Sequence, residues 1–380
     1  MAANKNQAWY LVLGALFVAG AGVLFYAQQK PARDHAAALS AAIDHLDQQG
    51  NLLYVKHNDG DFQLFEDKSK PIVGLSLWQD ELSDEDWRSI DLLTQLEFLD
   101  VGVVTIRDDD LRHLASKERM RTLKLSGREI SGAGLFAVNE HLENLDVSGC
   151  EINIHGLTAI GGFRQLRKLN LSHSSLTDLP NGSLSGIRTE LLNLSRCELD
   201  ESSFRELASM ATVDTLYASN VEVSKGGGHE LAKMKGLRRL DLLGTRISHD
   251  DLCALQASTS LERIRIDAFD ADPEVISSLG RNPTLTEIVI GRPRAHASTD
   301  PTETIKWRMK NGEPFLILVP ENRRDAVLKA IQDLIAKRPL MEFTDGKEWD
   351  DRPGLPGQGI WDQPPEGMER VDQGDGTGVF

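Results

Sequence analysis

The sequence lacks the short motifs of the common catalytic classes. It contains no H-E-x-x-H, no G-x-S-x-G and no G-x-x-x-x-G-K-[ST], which excludes HExxH zinc peptidases, hydrolases with a nucleophile elbow and P-loop nucleotidases. The segment Asp270–Glu274 begins like a calcium-binding loop, but Val275 replaces its central glycine and Arg281 its closing glutamate. We therefore expect no enzymatic activity, no cofactor and no metal site.

Positive charge is also in deficit. The 380 residues include 42 Lys and Arg against 58 Asp and Glu, a formal net charge of −16 at pH 7. Such a chain repels a phosphate backbone, so we expect no nucleic-acid partner. The same charge favours solubility and, weakly, a cationic or neutral partner.

Charge is absent altogether from residues 8–27, AWYLVLGALFVAGAGVLFYA. As a helix this segment is roughly 30 Å long, the thickness of a bilayer core. We expect it to be an uncleaved membrane anchor with an exported domain behind it. A cleaved signal peptide is the alternative, because Ala19-Gly20-Ala21 fits a cleavage site, although the apolar run continues to Tyr26.

An apolar pair repeats along most of the chain. Leu145 and Val147 are two residues apart, and equivalent pairs recur at steps of 22 to 24 residues: Leu75/Leu77, Leu99/Val101, Leu123/Leu125, Leu169/Leu171, Leu192/Leu194, Leu216/Ala218, Leu240/Leu242, Ile264/Ile266 and Ile288/Ile290. In a chain that is 40% apolar, chance fills all twenty positions with a probability of about 10⁻⁸. The spacing predicts ten structural repeats, numbered one to ten below.

These units fit the pattern L-x-x-L-x-L-x-x-N/C-x-L, as in LENLDVSGCEI, LRKLNLSHSSL and LRRLDLLGTRI. Over about residues 71–295 the chain resembles leucine-rich-repeat proteins, and as a whole it resembles bacterial membrane-anchored members of that group. The resemblance implies an α/β solenoid with a parallel sheet on its concave face. It also implies a binding scaffold without an assigned ligand.

The three cysteines fit this pattern as packing residues. Cys150 lies five residues after Leu145, and Cys197 occupies the same place two repeats later. Two strand spacings put them about 10 Å apart, beyond the reach of roughly 7 Å that a disulfide has. We expect Cys150, Cys197 and Cys253 to be buried, unreactive thiols.

The ends of a solenoid need caps because the terminal repeats expose apolar edges. We expect five regions: a tail and membrane anchor over 1–29, a helix and hairpin cap over 30–70, the repeats over 71–295, a strand-strand-helix cap over 296–342, and a disordered acidic tail over 343–380. A small independent binding domain is the alternative for 296–342.

Candidate binding residues follow from strand alternation, which turns the residues between and just after each apolar pair to the concave face. We expect a ligand on that face, mainly over its second half, where aromatic and arginine side chains collect. The candidates are Asp100, Lys124, Asp146, Asn170, His173, Arg196, Tyr217, Asn220, Asp241 and Arg265.

Two functions remain open from the sequence. The first is a membrane-anchored, exported scaffold that holds a protein or glycan on its concave face. The second is a structural envelope protein that acts through its anchor, caps and tail while the sheet stays idle.

Overall fold

The computed structural model describes residues 33–56, 62–64, 71–77, 79–102, 104–291, 308–310, 313–315, 321–340 and 342–344. The expected membrane anchor at 8–27 lies outside these ranges. Within them, no helix is long and apolar enough to cross a bilayer.

The strands are short, and most begin one residue before the first member of an apolar pair. They are β1 (Leu52–Lys56), β2 (Phe62–Leu64), β3 (Ile72–Ser76), β4 (Phe98–Val101), β5 (Thr122–Leu125), β6 (Asn144–Asp146), β7 (Lys168–Asn170), β8 (Ser175–Leu176), β9 (Leu191–Asn193), β10 (Glu198–Leu199), β11 (Thr215–Tyr217), β12 (Arg239–Asp241), β13 (Arg263–Asp267), β14 (Glu287–Gly291), β15 (Arg308–Lys310), β16 (Glu313–Phe315) and β17 (Glu342–Thr344).

Most helices lie in the return segments between strands. They are α1 (33–48), α2 (Asp84–Leu92), α3 (Ile154–Ile160), α4 (Glu201–Ala208), α5 (Gly227–Leu231), α6 (His249–Ala254), α7 (Pro273–Leu279) and α8 (Glu321–Lys337), with 3-10 helices at Asp108–Leu114, Ala133–Ala137 and Leu255–Ala257. Several begin at the Ser, Asp or Asn expected of an N-cap: Ser248 and Asp200, for example, accept a hydrogen bond from a backbone N–H of the first turn. Repeat five is an exception, because its return segment forms only turns over 181–186.

The repeat register predicted from the sequence is confirmed. Strands β3 to β7, β9 and β11 to β14 are ten neighbouring parallel strands of a 13-stranded sheet. Their pairing joins the first members of the apolar pairs in one unbroken row: Leu75, Leu99, Leu123, Leu145, Leu169, Leu192, Leu216, Leu240, Ile264 and Ile288. The chain is therefore a leucine-rich-repeat solenoid in architecture.

The core is one continuous apolar cluster from Ile43 to Leu334. Cys150 and Cys197 belong to it, and both thiols are free. Burial raises the pKa of each to about 12. Ser174, in the repeat between them, donates from its hydroxyl to the Cys150 carbonyl at 3.1 Å. The column packs and ties the turns. Burial is confirmed for Cys150 and Cys197, but the prediction is wrong for Cys253, which is only half-buried on α6.

The N-terminal edge of the sheet is closed by α1 and a hairpin. Strand β1 pairs antiparallel with both β2 and β3. Gly50 ends α1 with a left-handed φ of 78°, the backbone geometry that glycine adopts most easily. His45 contacts Asp86 at 2.9 Å, which ties α1 to α2.

At the other end, α8 packs against α7. Arg338 donates to the carbonyls of Gly280, Asn282, Pro283 and Leu285 at the end of α7. Strand β17 then pairs in parallel with β14, and its register extends the row of leucines by Phe343. We expected the folded part to end at 342, inside this strand. Three residues are too short for alternation to reveal a strand in the sequence.

Lys117 is fully buried and links two repeats. Its ammonium donates to the carbonyls of Ile90 at 2.7 Å, Asp91 at 2.9 Å and Leu93 at 3.4 Å, around the C-terminus of α2. The last carbonyls of a helix lack the donor four residues ahead, and here the lysine of the next repeat supplies one. The Ile90 carbonyl also accepts the Leu93 N–H at 2.9 Å. Burial lowers the pKa of Lys117 from 10.5 to about 8.

We expect Lys117→Met to lower the free energy of unfolding by about 2 kcal/mol at pH 7, because buried carbonyls lose their donor. Between pH 8 and 10.5 the unfolded chain keeps a proton that the folded chain has released. The wild type therefore gains stability over the variant as pH rises through that range. Urea unfolding of both proteins at pH 7, 8 and 10 gives their free energies of unfolding. A difference between the two proteins that stays constant from pH 8 to pH 10 would contradict the prediction.

Candidate functional site

The structure divides the ten candidate residues by exposure. Five are buried: Asp146, Asn170, Tyr217, Asp241 and Arg265. Two are half-buried, Asp100 and Lys124, and form an ion pair at 3.6 Å. Three are exposed, His173, Arg196 and Asn220. Strand alternation correctly assigns the face of a residue but not its depth.

The acidic and amide candidates hold the turns after the strands. An Oδ1 atom accepts the backbone N–H two residues later, as in Asp146 to Ser148 at 2.9 Å and Asp241 to Leu243 at 2.9 Å. Asn170 and Asp100 do the same for Ser172 and Gly102. This is the turn that Asp and Asn form with their own backbone. Their side-chain oxygens stabilise the repeat, which accounts for their recurrence in the column.

Tyr217 and Arg265 are buried on the concave face, the first by apolar contacts and the second beside a carboxylate. Tyr217 packs with Val289 and Leu191, and burial raises its pKa to about 12. Arg265 lies 3.5 Å from the carboxylate of Asp241. These groups link repeats six to ten across the sheet.

The three exposed candidates share an unusual backbone conformation. His173, Arg196 and Asn220 have φ of 62°, 59° and 56°. Each lies four residues after the first member of its apolar pair, so they occupy one column in repeats five, six and seven. We call these three residues the ridge. In repeats three, four and eight the same column holds Gly127, Gly149 and Gly244, also at positive φ.

The backbone N–H groups of the ridge bond the next repeat. The N–H of His173 donates to the Ser195 carbonyl at 3.1 Å and that of Arg196 to the Ser219 carbonyl at 2.9 Å. Gly149 makes the equivalent bond to Ser172 at 2.8 Å. The column is left-handed in each of repeats three to eight. A residue with a side chain costs about 1–2 kcal/mol more than glycine there, least for Asn.

The ridge is also electrostatically distinct. Burial and the nearby Arg196 guanidinium lower the pKa of His173. Among the described residues Arg196 forms no ion pair, unlike many of the exposed arginines on the flanks. Ser195, directly before Arg196, is 4% exposed, and its hydroxyl finds no hydrogen-bond partner in the described part of the chain. A polar ligand at the ridge would meet a guanidinium, an imidazole and an amide in a row.

Alternation alone did not reveal the ridge as a unit, although the sequence carries a signal. Repeats three, four and eight read SG, SG and LG at the turn, whereas repeats five, six and seven read SH, SR and SN. Glycine in the equivalent position of neighbouring repeats marks a left-handed site, and its replacement in three successive repeats marks a departure from it.

The convex face carries a groove of about 480 Å³ beside repeat five, between α3 and the turns over 181–186. Its lining contains apolar, glycine and small polar residues, with no acidic or basic side chain: Ile154, Leu157, Thr158, Gly161, Gly162, Pro180, Asn181, Gly182, Ser183, Ser185 and Gly186. Within the described ranges, no group of three or more His, Cys, Asp or Glu could hold a metal ion. The groove offers no acid–base pair.

No family model matches the sequence, and no curated protein matches it. Among solved structures, internalin C2 of Listeria monocytogenes is 20% identical, with 51% of this chain and 80% of that chain covered and a TM-score of 0.38. The Arabidopsis receptor kinase HAESA, in complex with the peptide hormone IDA and the co-receptor SERK1, is 17% identical, with 60% and 39% covered and a TM-score of 0.39. TLR13 in complex with ssRNA13 is 19% identical, with 57% and 35% covered and a TM-score of 0.40. These values say nothing about what this chain binds.

If the ridge is strained, Arg196→Gly should raise the free energy of unfolding by about 0.5–1 kcal/mol, since it removes a side chain from a left-handed site. The matched control is Gly149→Ala, which adds a side chain at the equivalent left-handed site of repeat four. The new Cβ would have no atom within 4 Å, so its expected loss of about 1 kcal/mol isolates the backbone effect. Urea unfolding at pH 7 measures both, and a destabilised Arg196→Gly variant would contradict the strain.

Proposed function

We propose that this chain is a membrane-anchored, exported, non-catalytic scaffold that binds a protein partner at the ridge. The observation that carries the proposal is the replacement of the turn glycine in three successive repeats by exposed His173, Arg196 and Asn220. Backbone strain that a glycine would remove is typical of functional positions.

The geometry of the ridge supports a macromolecular partner. Its residues follow three neighbouring strands, β7, β9 and β11, which lie about 4.8 Å apart, so together they cover roughly 10 Å along the rim of the sheet. They stand at a surface and not in an enclosed cavity, which suits an extended or folded protein better than a small molecule. Arginine is frequent among the residues that dominate binding energy at such surfaces.

The anchoring part of the proposal rests on sequence. Residues 8–27 carry no charge and are long enough to span a bilayer as a helix. Arg33, the first described residue of α1, follows them closely. This spacing would hold the N-terminal cap near the bilayer surface.

A photo-crosslinking residue in place of Asn220 should capture one recurrent protein on intact cells. The control is the same residue in place of Arg188, which is exposed in repeat five but away from the ridge. Combining the Asn220 crosslinker with His173→Gly and Arg196→Gly should reduce the adduct by about tenfold, equivalent to the loss of roughly 1.4 kcal/mol. Equal adducts from both positions, or an unchanged yield in the combined variant, would place the partner elsewhere.

A membrane-impermeant amine reagent applied to intact cells should label the exposed Lys225 and Lys235, because the repeats are expected on the side of the membrane away from the cytoplasm. Labelling that appears only after lysis would show that the repeats face the cytoplasm.

Deletion of residues 8–27 should move the protein from the membrane fraction to the soluble fraction. A membrane-bound deletion variant would refute the anchor.

A further inference from the structure

The chain leaves the sheet on the rim that carries the ridge. Strand β17 runs parallel to β14, and Thr344 pairs with Val289. The ridge residues follow the C-terminal ends of β7, β9 and β11, and all these strands point in one direction. Residue 345 therefore starts at the same rim as His173, Arg196 and Asn220.

The distance from this exit to the ridge is short compared with the segment that follows. Four strand spacings separate β17 from β11 and six separate it from β7, which is about 20–30 Å at 4.8 Å per step. Residues 345–380, which lie outside the described ranges, could extend to roughly 120 Å at 3.3 Å each. A tether of this length gives an effective concentration on the order of millimolar.

The charges of the two parts are complementary. Residues 345–380 contain nine acidic and three basic side chains. The ridge presents the guanidinium of Arg196, which forms no ion pair among the described residues, with the imidazole of His173 beside it. Carboxylates form charge-assisted hydrogen bonds with guanidinium groups.

A free acidic partner is less favoured than this segment. The chain carries a net charge of −16, which repels an acidic molecule approaching from solution. A segment that is already tethered at the rim avoids that approach. Its local concentration offsets the weak affinity of a few exposed ion pairs.

We propose that residues 345–380 dock on the ridge of their own chain through their carboxylates, and that an external partner must displace them. The segment and an external partner then compete for the same three residues. This inference deepens the proposed function, since it concerns the same three residues.

The first test couples amines to carboxylates with a carbodiimide in the full-length chain. Arg196→Lys places an amine on the ridge, and Arg188→Lys places a matched amine away from it. Peptide mass spectrometry of Arg196→Lys should find bonds to acidic residues within 345–380, and Arg188→Lys should give at least several-fold fewer. No bond to this segment, or equal yields from both variants, would overturn the proposal. Mixing isotope-labelled and unlabelled copies identifies the source, and bonds mainly between copies would overturn docking within one chain.

The second test separates this inference from the proposed function. The nine carboxylates are converted to amides in the full-length chain that carries the photo-crosslinker at position 220: Asp345, Glu348, Asp350, Asp351, Asp362, Glu366, Glu369, Asp372 and Asp375. Partner adduct should increase about 3–10-fold, which corresponds to a competing free energy of about 0.7–1.4 kcal/mol. An unchanged adduct would refute competition while leaving the partner site intact. Carbodiimide bonds without any partner adduct would support the docked segment and refute the proposed function.

Discussion

Each repeat of this chain is unable to bury its own apolar pair. Leu145 and Val147 are fully buried only because equivalent pairs lie one strand away on either side. Stacking is therefore obligatory, and the same requirement operates at the ends, where α1, the β1–β2 hairpin, α8 and β17 cover what the terminal repeats cannot. The continuous core from Ile43 to Leu334 is the outcome of this one constraint.

Stacking also assigns tasks to the remaining columns of the repeat. Asp and Asn beside the apolar pair use their side chains on the turn that follows, and Ser174 and Cys197 hold carbonyls of the preceding repeat. The residue four after the first member of the pair is left-handed in repeats three to eight, and in repeats four to seven its N–H bonds the next repeat. A substitution disturbs packing least where the side chain is exposed to solvent. The ridge residues of repeats five to seven occupy such positions.

The fold was predictable because the spacing of the apolar pairs, 22 to 24 residues, survives in every repeat. The depth of the concave residues was not predictable. Alternation places Arg265 on the concave face, yet its side chain lies against Asp241 and the residue is only 7% exposed. The ridge was partly visible in the glycines of neighbouring repeats. Strand β17 was invisible, since a three-residue strand after a helix has no periodicity to detect.

The turns that replace a helix in repeat five have a mechanical consequence. The sheet passes through this repeat without interruption, since β7 pairs with both β6 and β9. The convex layer is interrupted there, with glycine-rich turns over 181–186 between α3 and α4. Considered as an elastic rod, the solenoid transmits load across this repeat through the main sheet, through the pairing of β8 with β10, and through the Glu206 carboxylate, which accepts the N–H groups of Gly182 and Leu184. Bending at this repeat therefore strains hydrogen bonds between a loop and a helix, where the neighbouring pair α4 and α5 would resist it by helix packing.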